Sequence, residues 1–159
     1  MRILFLARLY WPHVGGVEKH VEKITDVLSK KYQIIIVCEK HDPKLPDYEK
    51  NRGVEIYRIG KTGKWNIWKW WLKHLHLIDN ADIIHIHDVF FWFLPFRLPY
   101  FYKKVYITFH GYEGADPPTS IQVLWHRVGT KLTRGNICIG DFHKKWYQVK
   151  PDFVSYGAI

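Results

Sequence analysis

Residues Met1–Cys38 read MRILFLARLYWPHVGGVEKHVEKITDVLSKKYQIIIVC. A short apolar strand, Ile3–Leu6, runs into a loop that ends in Gly15-Gly16. A helix-like segment comes next, then a second apolar run, Ile34–Val37. That order is a βαβ unit, with its glycines where the carboxyl end of the first strand meets a helix N-terminus. Open α/β sheets bind anionic ligands there, because unpaired backbone N–H groups and the helix dipole converge. Glycine lets a ligand approach the backbone and tolerates φ > 0, so Gly15-Gly16 reads either as a tight turn or as an anion cradle. The stretch matches neither the G-x-G-x-x-G fingerprint nor the P-loop, which argues against a nicotinamide cofactor or ATP.

Further along, apolar runs and amphipathic segments keep alternating. Strands are expected at Arg2–Ala7, Gln33–Cys38, Val54–Ile59, Ile83–His87, Val105–Phe109, Asn136–Ile139 and Asp152–Tyr156. Helices are expected at Gly16–Ser29, Trp65–Leu77, Thr119–Thr133 and Phe142–Gln148, with an aromatic segment at Val89–Tyr102. The charged, proline-containing stretch His41–Arg52 reads as an exposed loop. Strands alternating with helices predict an α/β fold, a Rossmann-like parallel sheet with helices on both faces. In the first helix Val17, Val21, Ile24, Val27 and Leu28 form one apolar stripe. The 159 residues fit a single domain.

The chain carries a net charge of +9 and eight tryptophans. Such a surface favours anionic partners: nucleic acid, anionic lipid or phosphorylated substrates. The charges are scattered and no RNA-binding motif occurs, so nucleic acid is not the expected partner, although basic-aromatic binding of single strands is a third reading. Cys38 and Cys138 lie in apolar strands and read as core thiols. No signal-peptide pattern is visible, and no segment approaches the roughly 20 apolar residues that span a bilayer. The segment Lys64–Ile78 places Trp65, Ile67, Trp68, Trp71, Leu72, Leu75 and Ile78 on one arc, with Trp70 and Leu77 among the polar residues. It reads as a helix packed on the sheet, or as an interfacial helix whose Trp65, Trp68, Lys69, Trp70, Trp71 and Lys73 meet a membrane surface; the two readings can coexist.

His110 comes directly after a strand and precedes Gly111, so it should emerge at the carboxyl edge of the sheet near Gly15-Gly16. A neutral imidazole there can hydrogen-bond a hydroxyl or stabilise developing charge. His85, His87 and Asp88 form a compact H-x-H-D, and a metal site there is conceivable because His at i and i+2 share a strand face. His87 and Asp88 lie nearest the strand end and His85 is expected to be buried. Tyr10, His13, Glu18 and Lys19 flank the glycine loop, and Glu113 lies just beyond His110. No G-x-S-x-G elbow is present, so hydrolase chemistry has no support.

The segment Tyr10–Val21 resembles the first loop of the family-4 retaining glycosyltransferases, which have the GT-B fold. Ala81–Asp88 (ADIIHIHD), Tyr106–Gly111 (YITFHG) and the segment from Ile137–Gly140 through Lys150-Pro151 to Tyr156–Ile159 are similar to that family's later motifs, in the same order. The resemblance covers nearly the whole chain. It implies that 1–159 is one N-terminal, acceptor-side half, with the C-terminal nucleotide-sugar domain, which carries a Glu-x7-Glu motif, absent. It implies transfer from a nucleotide-diphosphate sugar to a glycan or lipid-linked acceptor, without metal or cofactor. His110 would then be catalytic, Gly15 and Gly16 would hold phosphate, and Tyr10, His13, Glu18, Lys19, His87, Asp88 and Glu113 would contact acceptor. Catalysis is expected to need the C-terminal domain or a partner subunit, and a homodimer is an option. The expected location is cytoplasmic, peripheral at the inner membrane face. The competing reading is a non-catalytic module that binds lipid or a partner.

Overall fold

The computed structural model describes residues 1–60, 63–111 and 117–156. Its elements are β1 (Arg2–Ala7), α1 (Gly16–Leu28), β2 (Gln33–Glu39), β3 (Tyr48–Asn51), β4 (Val54–Ile59), α2 (Lys64–Lys73), α3 (Leu75–Asp79), β5 (Ile83–His87), α4 (Phe90–Arg97), β6 (Lys104–Phe109), α5 (Ser120–Leu132), β7 (Gly135–Cys138) and β8 (Phe153–Val154), with a π-helical turn at His143–Tyr147. The strands form one sheet in the order β3-β4-β2-β1-β5-β6-β7-β8. All pairs are parallel except β3 with β4. The expected α/β fold with a parallel sheet is present.

Both faces of the sheet are covered. Ile3, Phe5, Ile34, Ile36, Val54 and Ile56 point to one side, where Val21 of α1 joins them and Val17, Ile24 and Leu28 pack against them. Leu4, Leu6, Ile35, Val37, Ile84 and Ile86 point to the other, against Ile67 and Trp71 of α2, Leu77 and Ile78 of α3, and Phe90, Trp92, Phe93 and Phe96 of α4. This two-sided burial explains why β1 and β2 are nearly continuous apolar runs. Cys38 and Cys138 are buried thiols, as expected, and burial pushes them up to about 12 and about 11.

Several readings need correction. The stretch His41–Arg52 is not all loop. Asn51 pairs with Val54 around a two-residue turn, Arg52-Gly53, whose φ values of 48° and 81° match the right-handed twist of a hairpin. The expected helix Trp65–Leu77 breaks at His74, whose Nδ1 lies 2.8 Å from the Trp70 carbonyl oxygen. The break re-phases the residues beyond it, so that Leu77 enters the core beside Ile78; before the break, Leu72, expected on the apolar arc, is 62% exposed. Trp71, expected at a membrane surface, is fully buried. The aromatic segment contains helix α4, with Pro95 inside it. At the C-terminal end, β8 is two residues long and the expected helix Phe142–Gln148 is the π-helical turn.

Arg58 of β4 is buried and anchors the glycine loop to the sheet. Its guanidinium donates to the carbonyl oxygens of Trp11 (3.0 Å) and Pro46 (3.1 Å) and pairs with Glu49 of β3. Tyr10, expected to contact acceptor, instead turns into the core, its hydroxyl sharing a 3.0 Å hydrogen bond with Thr25 Oγ1. Thr25 takes the place in the α1 stripe expected for Val27, which is exposed.

Urea denaturation should separate the two tryptophans at the ends of α2. Trp71→Ala is expected to cost about 3–5 kcal/mol, as for a large buried aromatic. Trp65→Ala, at a side chain 74% exposed, should stay within about 0.5 kcal/mol.

Candidate active site

The chain runs from β1 to β2 and β4 on one side, then crosses back to place β5 on the other side of β1. The carboxyl ends of β1 and β5 therefore adjoin, with Ala7 paired to His87, at the point where the strand order reverses. A cleft of about 880 Å³ opens there, lined by Gly16, Glu18, His20, His87, Asp88 and His110 among others.

Gly15 caps α1 with an extended backbone and no side-chain cap hydrogen bond, so the first-turn N–H groups have no side-chain cap among the described residues. Neither glycine has positive φ. The two differ in surroundings. Nothing approaches the Cβ direction of Gly16, which faces the cleft, whereas the Glu18 carboxylate folds over that of Gly15. Glu18 also lies 3.2 Å from His13 Nδ1. The open anion position at this helix end is therefore on the Gly16 side.

The strand ends supply the histidines. His85 and His87, two residues apart on β5, share a face and pack on Phe5 at ring distances of 5.3 and 5.7 Å. His85 Nε2 meets Thr108 Oγ1 at 2.8 Å, and His87 Nδ1 meets His110 Nε2 at 2.7 Å. His20, from the second turn of α1, sets its ring edge-on to His110 at 4.9 Å. Asp88 adopts a left-handed φ of 61°, which turns its carboxylate across to accept the His110 backbone N–H at 3.0 Å. The register of β5 with β6 (His87 with Thr108) thus places His110 over His87.

These rings are neutral. Burial and the neighbouring imidazoles push His110 down to about 3, and burial with the charge of His20 pushes His85 down to about 4. The same causes hold His87 well below the usual histidine range. His87 Nε2 is buried without a hydrogen-bond partner among the described residues. A buried bare acceptor nitrogen is cheaper than an orphaned N–H. We therefore assign His87 Nδ1–H as donor to His110 Nε2, which leaves the His110 proton on Nδ1. The pair is a preset neutral donor, able to hydrogen-bond a hydroxyl but not to carry a charge.

Of the expected site residues, Gly16, Glu18, His87, Asp88 and His110 line the cleft. Lys19 points to solvent outside it, His13 pairs with Glu18 behind it, and Tyr10 is in the core. Glu113 lies outside the described residues. His85 is largely covered rather than a cleft contact. His20 and Arg8 line the cleft and were not singled out from the sequence. The spacing of His20 four residues after Gly16, one helical turn on, was the available signal. Among the described residues no three His, Cys, Asp or Glu side chains converge as metal ligands would.

The sequence profile of Glycosyltransferase Family 4 matches residues 14–149. The chain belongs to this family. An uncharacterized glycosyltransferase of Methanocaldococcus jannaschii is 27% identical over 101 residues, covering 62% of this chain and 22% of its own length. Sucrose-phosphate synthase from Thermosynechococcus elongatus superposes with a TM-score of 0.70 at 12% identity, over 97% of this chain and 47% of that one. A shorter portion of the same enzyme gives 0.64, also at 12% identity, over 98% of this chain and 87% of that chain. The chain thus spans about half the length of the longer synthase chain and less than a quarter of the archaeal relative. Its fold is one Rossmann-like half of a GT-B glycosyltransferase.

Because His85, His87, His110 and His143 are held neutral, stability should fall in acid. Their folded-state values lie below the unfolded value of about 6.5, so below that pH the unfolded chain binds protons that the folded chain refuses. Urea midpoints should drop as pH falls from about 6.5 toward 4, each histidine adding up to about 1.4 kcal/mol per pH unit. His143→Phe should flatten that slope; an unchanged slope would mean this ring is protonated in the folded state.

Proposed function

We infer that this chain is the acceptor-side half of a retaining glycosyltransferase that moves a sugar from a nucleotide-diphosphate sugar to a lipid-linked or membrane-associated acceptor, without a metal or other cofactor. The observation that carries this reading is the neutral His87–His110 pair facing the uncapped N-terminus of α1 across one cleft. The His110 Nδ1–H donates to a hydroxyl of the transferring sugar. The Gly16 end of α1 directs backbone amides at the departing phosphate and stabilises charge as the glycosidic bond breaks. Glu18, Asp88 and His20 face the acceptor. Arg8 is the sole Lys or Arg among the described lining residues. Most of the phosphate charge is therefore neutralised by groups outside this half, supplied by a C-terminal domain or a partner subunit.

Attachment to a membrane at the cytoplasmic face rests on the charge of +9 and on α2, where Trp65, Lys69 and Lys73 are exposed. Trp68 and Trp70 are half-buried: the Trp68 Nε1–H donates to the Phe91 carbonyl at 3.0 Å, and Trp70 stacks on His74 at 3.8 Å. Among the described residues no helix is long and apolar enough to cross a membrane.

Assayed together with the nucleotide-sugar-binding half, the chain should transfer sugar with retained anomeric configuration, read by NMR of the product. His110→Ala should lower kcat about 10²-fold or more. An inverted product, or a kcat indifferent to His110, would refute this reading. In co-sedimentation, binding to anionic vesicles should weaken with salt and with Trp65→Ala/Lys69→Glu/Lys73→Glu. Equal binding to neutral vesicles, or no effect of these changes, would remove α2 as the anchor.

A further inference from the structure

A second cavity, of about 180 Å³, lies beside the cleft. Phe90, Phe91 and Leu94 of α4 form one wall, Phe109 of β6 the floor, and Trp68 and Trp125 the flanks. Asp88 and Phe91 line both this cavity and the cleft, so the two spaces share a wall. Its lining differs sharply from the histidine-rich cleft: mostly aromatic and aliphatic, with Lys64 as the one cation among the described lining residues. Trp125 continues into further exposed apolar surface on α5. Ile121, Leu124 and Trp125 fall at i, i+3 and i+4 on α5 and are 67%, 58% and 42% exposed. A core helix would bury that stripe, and solvent-facing apolar surface of this kind marks a binding site.

We propose that this cavity holds the apolar chain of the acceptor, an alkyl or isoprenoid segment whose polar head occupies the adjoining cleft. This rests on the reading of the cleft as the acceptor site. The volume fits a segment of chain: an apolar cavity of roughly 150 Å³ takes a benzene ring. The remainder of the chain leaves over the Ile121–Trp125 stripe. The cavity therefore selects acceptors by their tail, while the histidines read the head.

The test is calorimetric titration of the 159-residue chain with butyl, hexyl and octyl phosphate below their micelle concentrations. Each methylene that enters the cavity should raise affinity roughly fourfold. Octyl phosphate should bind one-to-one and at least tenfold tighter than butyl phosphate. Leu94→Trp fills the cavity and should remove that gain. Trp125→Ala, at a half-exposed side chain that folding does not depend on, should reduce it and serves if Leu94→Trp does not fold. Equal affinity for butyl and octyl phosphate, no binding of either, or a chain-length gain that survives both substitutions would overturn the proposal. Octyl phosphate binding without sugar transfer would refute the cleft reading alone; transfer to a lipid-linked acceptor without a chain-length effect would refute the cavity alone.

Discussion

The parallel ladder between β1 and β5 is the constraint on which the site depends. A parallel pair cannot be joined by a hairpin, so each connection must cross a face of the sheet, here mostly through helices. That rule sends α1 to one face and α2 through α4 to the other, and brings strand carboxyl ends to one edge. Because β5 joins β1 on the side opposite β2, the loops leaving β1 and β5 part in opposite directions and a cleft must open between them. The glycine loop, His87, Asp88 and His110 all stand at that edge for this topological reason. Arg58 then fixes the loop's height by tying the Trp11 carbonyl to the β3–β4 hairpin.

Along the histidine wall of the cleft the governing fact is burial. Imidazoles that stack on Phe5 and on one another cannot accept protons without mutual repulsion, and little water reaches them to solvate the charge. The result is a polar but uncharged wall, with hydrogen-bond directions set by the strand register. Asp88 supports it from outside. Its left-handed backbone is tolerable because aspartate visits that region more readily than most residues, and its carboxylate binds the amide of His110. An uncharged wall of this kind suits the recognition of hydroxyl groups, while the helix N-terminus opposite it suits an anion.

The exposed face of α2 and the histidine cleft are distinct parts of the molecule. The exposed part of α2 offers lysines with one exposed tryptophan. The cavity beside the cleft is lined mostly by aromatic side chains of α2, α4, β6 and α5. Phe101, exposed beyond α4, and the exposed stripe on α5 show that the high aromatic content does not all go into the core. Phe90, Trp92, Phe93 and Phe96 do, on the second face of the sheet.

Hydrophobic periodicity alone determined the strands β1, β2, β4, β5 and β6, the helices α1 and α5, and so the α/β fold; local spacing suffices wherever a whole face is buried. The positions of Gly16, His87, Asp88 and His110 were legible too, because residues at strand ends in a parallel sheet share one edge. What local pattern could not give was set by contacts far apart in sequence. Tyr10 looked like a cleft residue until Thr25 drew it inward. Trp71 looked like surface until α2 packed on the sheet, and Leu77 joined the core because a helix break at His74 shifted the phase beyond it. His20 entered the site only because α1 lies against the ends of β5 and β6. Burial, ring neutrality and the cavity beside the cleft depend on which elements pack together, and that is a property of the tertiary fold rather than of any window of sequence.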